Sequence, residues 1–423
     1  MRLERGRSSA RAAQSRSLRE RVASPADRVL EATRVRYEFT GEQLAWRDEV
    51  RAFLREQMTP ELTAELRRIS NEELGPHARA FQAKLRGKGW WGLTWPKEYG
   101  GMEKSAIDLF LFVEEMMLAG APHLSLTYTS VGPTILRIGT DEQKQEWLPR
   151  IARGELEFAL GYSEAEAGTD LANLKTRATP DGDELVIDGQ KMWNTGAHVA
   201  THEWMAVRTD PTAKKHLGIS IVIVPLDRPG ITVHPITVWP GLRTNAVFFD
   251  GVRVPRRNLI GEPGMGFYYA AMALNFERIS LGSPAMVERY FRELIEEVKR
   301  RERDGRPLAD DPVVRRKLAR LANDIEAARM INLLNAWSID QGGVPIMEAS
   351  MAKVFTTELT ARFADTALEI LGLEGQLAPD EEEAPLFGRI QWLYRLAPML
   401  RFGGGTNEVQ RIIIAQRGLG LPR

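Results

Sequence analysis

DELVIDGQKMW (183–193), EWMAVRTD (203–210), ISIVIVPL (219–226), ITVHPITV (231–238) and NAVFFDGVRVP (245–255) decide the fold of this chain. Each is a short run of β-branched and aromatic residues bounded by Gly, Pro or Asp, the pattern of successive strands in one compact unit. The gaps are too short for crossover helices, so antiparallel pairing is expected and a doubly wound parallel sheet is disfavoured. On either side the apolar period becomes helical. Upstream, Thr40-Gly-Glu-Gln43 reads as a capping box ahead of Leu44, Val50, Phe53 and Leu54, and an apolar helix over about 107–120 stops at Gly120. GWWGLTWPKEYGG (89–101) reads as an aromatic-rich turn between them. From about 266 onward, Leu318, Leu321, Ile325 and Ala328 share a helical face, and a further helix spans about Glu348 to Gly372. The acidic stretch from Asp380 to Glu383 reads as a solvated turn. A last helix opens behind the glycine triplet 403–405, with Thr406 as cap, Glu408 in its first turn, and Ile412 to Ile414 along it. The order is α, then β, then α.

Composition removes several classes of function. With 423 residues, 43% of them hydrophobic, the chain can bury a large core. Its 57 Lys+Arg balance 57 Asp+Glu, so no global field draws it to nucleic acid or to an anionic membrane. The absence of cysteine excludes disulfides, thiolate nucleophiles and Cys-based metal sites. No apolar stretch approaches the roughly 20 residues that span a bilayer. The first 22 residues carry seven Arg and two Glu and read as a disordered basic leader. A transit peptide is the other reading, although Glu4 and Glu20 interrupt a pattern that should be poor in acid. The expected domains are a leader over 1–36, a helical domain over 37–156, a β domain over 157–265 and a helical domain over 266–423.

Three segments are chemically unusual. GYSEAEAGTD (161–170) places Ser163 and Thr169 around Gly168, which suits hydrogen bonds to a polar ring edge and to phosphate oxygens as well as it suits an ordinary capped loop. QKMWNTGAH (190–198) sets Trp193 and Thr195 two apart, on one face if the strand continues through them. NFERIS (275–280) puts Glu277 beside Arg278 in a helix, where neighbouring side chains diverge by about 100° and one can enter a cavity while the other does not. No phosphate-cradling loop and no G-x-G-x-x-G occurs after a strand. His198 and His202 are i, i+4, but they fall in an inter-strand loop and no metal site is expected.

Taken together these segments resemble the acyl-CoA dehydrogenase family from about residue 40 onward. GLTWPKEYGG and GTDEQKQEWLP (139–149) resemble landmarks of its N-terminal domain, YSEAEAGTD and QKMWNTGAH its two flavin-binding runs, and GGTNEVQR (404–411) a third. Five such phrases in the right order are specific. The resemblance implies an N-terminal helical domain, a middle antiparallel β-barrel and a C-terminal four-helix bundle, in an α+β fold. It implies FAD, removal of two hydrogens from an acyl-CoA to give the 2-enoyl-CoA, and transfer of the electrons to an electron-transfer flavoprotein. By matched position, Leu160, Tyr162, Ser163, Thr169, Trp193, Asn194 and Thr195 would hold the cofactor, with Thr406, Asn407 and Glu408 completing its site. Thr169, Arg278 and Gly404 would touch substrate.

The proton step departs from the common pattern. Where many members carry a Glu before the Gly-Thr of the third run, this chain has Gly404, which has no carboxylate. Some relatives carry the base on the helix after the β domain, immediately before an Arg, which makes Glu277 the expected general base. Burial there would raise its pKa toward working pH. RERDGRPLADDP (301–312) lacks the Arg-x-x-Phe-Gly-like run that clamps the adenine end of a neighbour's FAD, and Leu373 stands where a second Gly is common. Both features resemble bacterial members acting on bulky acyl-CoAs, including steroid side-chain degraders that pair two different subunits. A homo-oligomer or such a heteromer is therefore expected, in the cytoplasm, or in an organelle matrix if the leader is a transit peptide. Other readings are an oxidase or monooxygenase on the same scaffold, and a non-catalytic partner subunit.

Overall fold

The computed structural model describes residues 38–67, 73–122, 125–379 and 381–422, with the backbone alone for 275–278 and 281. The leader lies outside the described residues, as does Asp380 of the acidic turn. Residues 38–45 belong to a small first unit and everything from Trp46 onward to a second. Within the first, Thr40 and Gln43 form the expected reciprocal cap, the Gln43 amide donating to Thr40 Oγ1 at 3.2 Å and the Thr40 amide to Gln43 Oε1 at 2.9 Å.

Helix α1 (Gly41–Gln57) buries Trp46, Val50, Phe53 and Leu54, whereas Leu44 is exposed. Short helices α2 (Pro60–Arg67) and α3 (Pro76–Gly87) follow. Trp90, Trp91 and Trp95 then bury in a tight turn segment, with Trp90 edge-on to Phe53 and Phe112. Helix α4 (Ala106–Ala119) starts at a Ser105–Asp108 capping box and ends at left-handed Gly120. Helices α5 (Gly132–Ile138) and α6 (Asp141–Ala152) lead into the sheet.

The sheet comprises β1 (Phe158–Gly161), β2 (Arg177–Asp181), β3 (Glu184–Met192), β4 (His202–Arg208), β5 (Ile219–Pro225), β6 (Ile231–Thr237), β7 (Arg243–Pro255) and β8 (Leu259–Ile260). Its order is β6-β7-β3-β2-β4-β5-β8, with β1 added on β4. No ladder joins β6 to β8 among the described residues, so the barrel expected from the resemblance is here an open path of strands. The pairing is also mixed: β1 and β2 both run parallel to β4. The β2–β3 hairpin lies within the connection from β1 to β4 and supplies the length that a same-direction return needs without a helix. The inward faces bury Leu185, Ile187, Val222, Val224, Val247 and Val252 in one core.

After the sheet come α7 (Gly266–Leu281), α8 (Ala285–Arg300), a small hairpin of β9 (Glu302–Arg303) and β10 (Arg306–Pro307), α9 (Pro312–Asp340), α10 (Ile346–Leu371), α11 (Arg389–Phe402) and α12 (Asn407–Ile413). Four of these, α8 to α11, share a core containing Leu294, Leu321, Leu359, Phe363 and Leu393, which is the expected bundle. Helix α4 docks on α9 at two places. Half-buried Arg329 clasps buried Glu114 with bonds of 2.6 and 3.0 Å, and Asp340 accepts from the Ala106 amide at 2.6 Å and the Ile107 amide at 3.1 Å. Among the described residues no helix is long and apolar enough to cross a membrane.

Candidate active site

The first two unusual segments meet at the end of β1. The Met192 amide donates to the Ser163 carbonyl at 2.9 Å, so the chain leaving β1 lies against the end of β3. Beneath this contact Lys191, fully buried, donates to the Tyr162 carbonyl at 3.2 Å and to Glu164 Oε1 at 2.8 Å. Glu164 also accepts from the Lys175 amide at 2.6 Å and the Thr176 amide at 2.9 Å. Burial opposes its ionisation, but the charge of Lys191 and these donors outweigh burial and hold the carboxyl below its ordinary range. Trp204 Nε1 donates to the Tyr162 hydroxyl at 2.9 Å. Tyr162 is thus buried against the sheet, Ser163 and Leu160 are half-buried, and Thr169 is exposed at the tip of the loop.

Trp193 and Thr195 do not share a strand face. Strand β3 ends at Met192, and Trp193 takes φ +69°, a left-handed conformation that costs a bulky residue about 1–3 kcal/mol. The cause is the next residue. Asn194 is fully buried; its amide donates to the Asn245 carbonyl at 3.0 Å, its carbonyl accepts from Asn245 Nδ2 at 2.8 Å, and its side chain donates to the Leu160 carbonyl at 3.1 Å and to Glu203. Pulling Asn194 inward throws the Trp193 indole outward, 53% exposed, with Thr195 exposed beside it and its hydroxyl 3.2 Å from that of Thr244. An indole held open in a strained turn, flanked by hydroxyls, fits a planar ring with polar edges. It is the kind of surface on which a flavin would rest.

The run GGTNEVQR (404–411) sits on the bundle. Gly404 (φ +66°) and Gly405 (φ +92°) make a left-handed turn that brings Thr406 to cap α12, its Oγ1 accepting from the Val409 amide at 3.2 Å. Asn407, expected to belong to the cofactor site, is fully buried and bonded to α10: Lys353 Nζ donates to its Oδ1 at 2.8 Å, and its Nδ2 donates to Thr357 Oγ1 at 3.1 Å and Glu358 Oε1 at 3.3 Å. Glu408 is exposed. Asn194 and Asn407 are therefore anchors of their segments in this chain.

Glu277 and Arg278 lie on α7, and their side chains fall outside the described residues. The helix backbone is firmly placed. Ser130 Oγ donates to the Ala273 carbonyl at 3.0 Å and Asn332 Nδ2 to that of Ile279 at 3.0 Å, and just past the helix end Thr356 Oγ1 donates to the Gly282 carbonyl at 2.9 Å. A cavity of about 410 Å³ adjoins the same helix, between Trp91, Leu109, Tyr128 and Leu136 on the N-terminal side and Ile279 and Ser280 of α7. His202 is not in a helix with His198; it opens β4 and packs near the rings of Trp147 and Phe158.

Sequence patterns did not single out Glu164, Lys191, Glu203 or Lys353. Their one signal is a charged residue inside an otherwise apolar strand or helix run, where burial is unusual unless partnered.

Family comparison agrees with this layout. Residues 40–155, 159–252 and 264–419 match the models of the acyl-CoA dehydrogenase N-terminal, middle and C-terminal domains. Acyl-CoA dehydrogenase FadE26 of Mycobacterium tuberculosis is 43% identical over 92% of this chain and 99% of its own length. FadE29 of the same organism is 37% identical, covering 91% and 98%. Among solved structures, the ChsE4-ChsE5 complex from Mycobacterium tuberculosis matches with a TM-score of 0.84 at 43% identity, over 92% of this chain and 100% of that one. The Tcur3481-Tcur3483 steroid ACAD matches with a TM-score of 0.83 at 38% identity, over 91% and 99%. A helical domain, a sheet that presents an open indole, and a helical bundle, matched in order and nearly end to end, make this chain a member of the acyl-CoA dehydrogenase family, a flavoprotein oxidoreductase.

Proposed function

We propose that this chain removes two hydrogens from the α and β carbons of an acyl-CoA, giving the 2-enoyl-CoA, with FAD as its cofactor and an electron-transfer flavoprotein as acceptor. The observation that carries the reading is the exposed, left-handed Trp193 anchored through buried Asn194. Bound FAD would supply the two-electron acceptor for the hydride leaving the β carbon. Trp193 packs against the ring, while the hydroxyls of Ser163, Thr169 and Thr195 and the main chain at Leu160 and Tyr162 meet its polar edges. Thr406 and the left-handed turn before it complete the site from the bundle. Glu277 takes the α proton, and Arg278 and Gly404 adjoin the thioester end of the substrate. The backbone support of α7 by Ser130, Asn332 and Thr356 favours a fixed base, because proton transfer falls off steeply with misplacement. The cavity beside α7 takes the distal part of the acyl group.

The domains divide at 37–156, 157–265 and 266–423. Similarity to the ChsE4-ChsE5 complex and to the Tcur3481-Tcur3483 steroid ACAD favours a bulky acyl-CoA and a heteromer. The hairpin Glu302–Pro307 stands in place of an adenine clamp, which the partner would then supply.

Anaerobic titration with a panel of acyl-CoAs tests the reading. Wild type is expected to be yellow and to bleach. Glu277→Gln should bind flavin equally well and bleach about 10²–10⁴-fold more slowly. A colourless sample that cannot be reconstituted defeats the proposal, and equal bleaching by the Gln variant removes Glu277 from the role.

A further inference from the structure

Glu203 is a fully buried carboxyl that the proposed chemistry does not use. It is the second residue of β4, paired with Ala159 across the parallel β1–β4 ladder. Its carboxyl fills the space left by Gly161, where an added Cβ would lie 2.1 Å from Glu203 Oε1 and 2.9 Å from its Cδ. Any larger residue at the opening of the first segment would displace it. On its other side Glu203 Oε1 accepts from Asn194 Nδ2, the same group that donates to the Leu160 carbonyl. Glu203 therefore touches both segments that flank the open indole.

Two oxygens in this knot have no hydrogen-bond partner: Glu203 Oε2 and Asn194 Oδ1. An ionised carboxylate only accepts and would leave both unmet in a dry interior, at a cost that natural cores avoid. A carboxylic acid brings the missing O–H donor, and the Asn194 carboxamide, whose Nδ2 already donates to Glu203, carries an unpartnered acceptor oxygen. We propose that Glu203 is a positioning residue of the flavin site, kept as the neutral acid, and that its pairing with the Asn194 carboxamide locks the left-handed Trp193 turn onto the end of β1.

The electrostatics agree. Burial pushes the Glu203 carboxyl up to about 8, only partly offset by the charge of Lys191. The other charged or titratable groups around the knot are Glu164, paired with Lys191, Arg208 at the far end of β4, His202 beside it, and His198, whose Nδ1 lies 3.2 Å from Asn245 Nδ2. With Glu164 and Lys191 cancelling, a neutral Glu203 leaves no net buried charge beneath Trp193.

The sign of the pH effect follows. In the unfolded chain Glu203 ionises near 4.5, whereas in the folded chain it holds its proton to about 8. Between these values the folded state binds the extra proton, so this group's contribution to stability falls as pH rises and levels off above about 8. His202, pushed down to about 4 by burial, acts in the opposite sense but only below 6.5. From pH 6.5 to 8 the Glu203 effect stands apart from that of His202.

The proposal rests on the flavin reading, so its test has two arms. In the first, urea unfolding of the flavin-free protein is followed from pH 6.5 to 8. The unfolding constant of wild type should rise about tenfold per pH unit relative to Glu203→Gln, which keeps both a donor and an acceptor without the titration. In the second, FAD affinity is measured by quenching of flavin fluorescence at pH 6.5 and 9. Wild type should lose at least about tenfold in affinity at pH 9, Glu203→Gln should match wild type at pH 6.5 and keep that affinity at both values, and Glu203→Leu should be weak at both. Parallel pH profiles for wild type and the Gln variant, in either arm, overturn the proposal, as does a Gln variant as weak as the Leu variant at pH 6.5. If wild type takes up no FAD at any pH, the proposed function fails while the unfolding arm still decides the state of Glu203.

Discussion

Two buried lysines hold up two different parts of the site, and they do so differently. Lys191, in the sheet, donates to the Tyr162 carbonyl and to a carboxylate, Glu164. Lys353, 1% exposed in the bundle, donates to the Arg401 carbonyl at 2.9 Å and to a carboxamide, Asn407. In the sheet the anchor is a charge pair inside a low dielectric, where each ion is tolerable only because of the other. In the bundle Asn407 is also held by Thr357 and Glu358, and the anchor is shared among several hydrogen bonds. The comparison teaches that one structural need, fixing a turn against the body of its domain, is met by concentrated electrostatics in one place and by distributed hydrogen bonding in the other.

The largest effect should come from splitting the charge pair. Lys191→Met leaves Glu164 buried without its counter-ion and should cost about 3–5 kcal/mol in chemical denaturation. Adding Glu164→Gln should recover a good part of it, since the stranded charge is then gone. A single Lys191→Met costing under about 1 kcal/mol would break the electrostatic side of the comparison. Asn407→Ala should cost less, about 1–3 kcal/mol, because it removes hydrogen-bond partners without stranding a carboxylate. If it costs as much as Lys191→Met, the bundle anchor is no more distributed than the sheet anchor. The smallest change is Thr406→Ala, which removes the cap of α12 and should cost about 1 kcal/mol in the same assay, sharpening how much of the 404–411 run is fixed by its own helix end and how much by α10.

Much of the fold was legible because local rules and tertiary packing agree. The Thr40–Gln43 cap, the stop at Gly120, the strand runs from 183 onward and the Thr406 cap all follow from side chains that satisfy nearby backbone groups. The strand assumed to continue through Trp193 failed because that turn is set by Asn194, whose partners Leu160, Glu203 and Asn245 lie far away in sequence. The parallel β1–β4 pairing escaped for the same reason: strand runs show where strands are, not which neighbour each one takes. Asn194 and Asn407 are polar residues in motif positions, and only their burial shows that they point into the protein.

By itself the sequence determined the helix–sheet–helix order, the missing cysteine chemistry, the family and the runs proposed to form the site, because these depend on residue type and near-neighbour spacing. The tertiary structure alone decided that the sheet is mixed, that the Trp193 indole faces outward in a strained turn, and that Glu203, Lys191 and Lys353 are buried beneath the site. Burial changes the energy of a charge far more than any local neighbour does, and whether a side chain is buried depends on what the rest of the chain places on top of it.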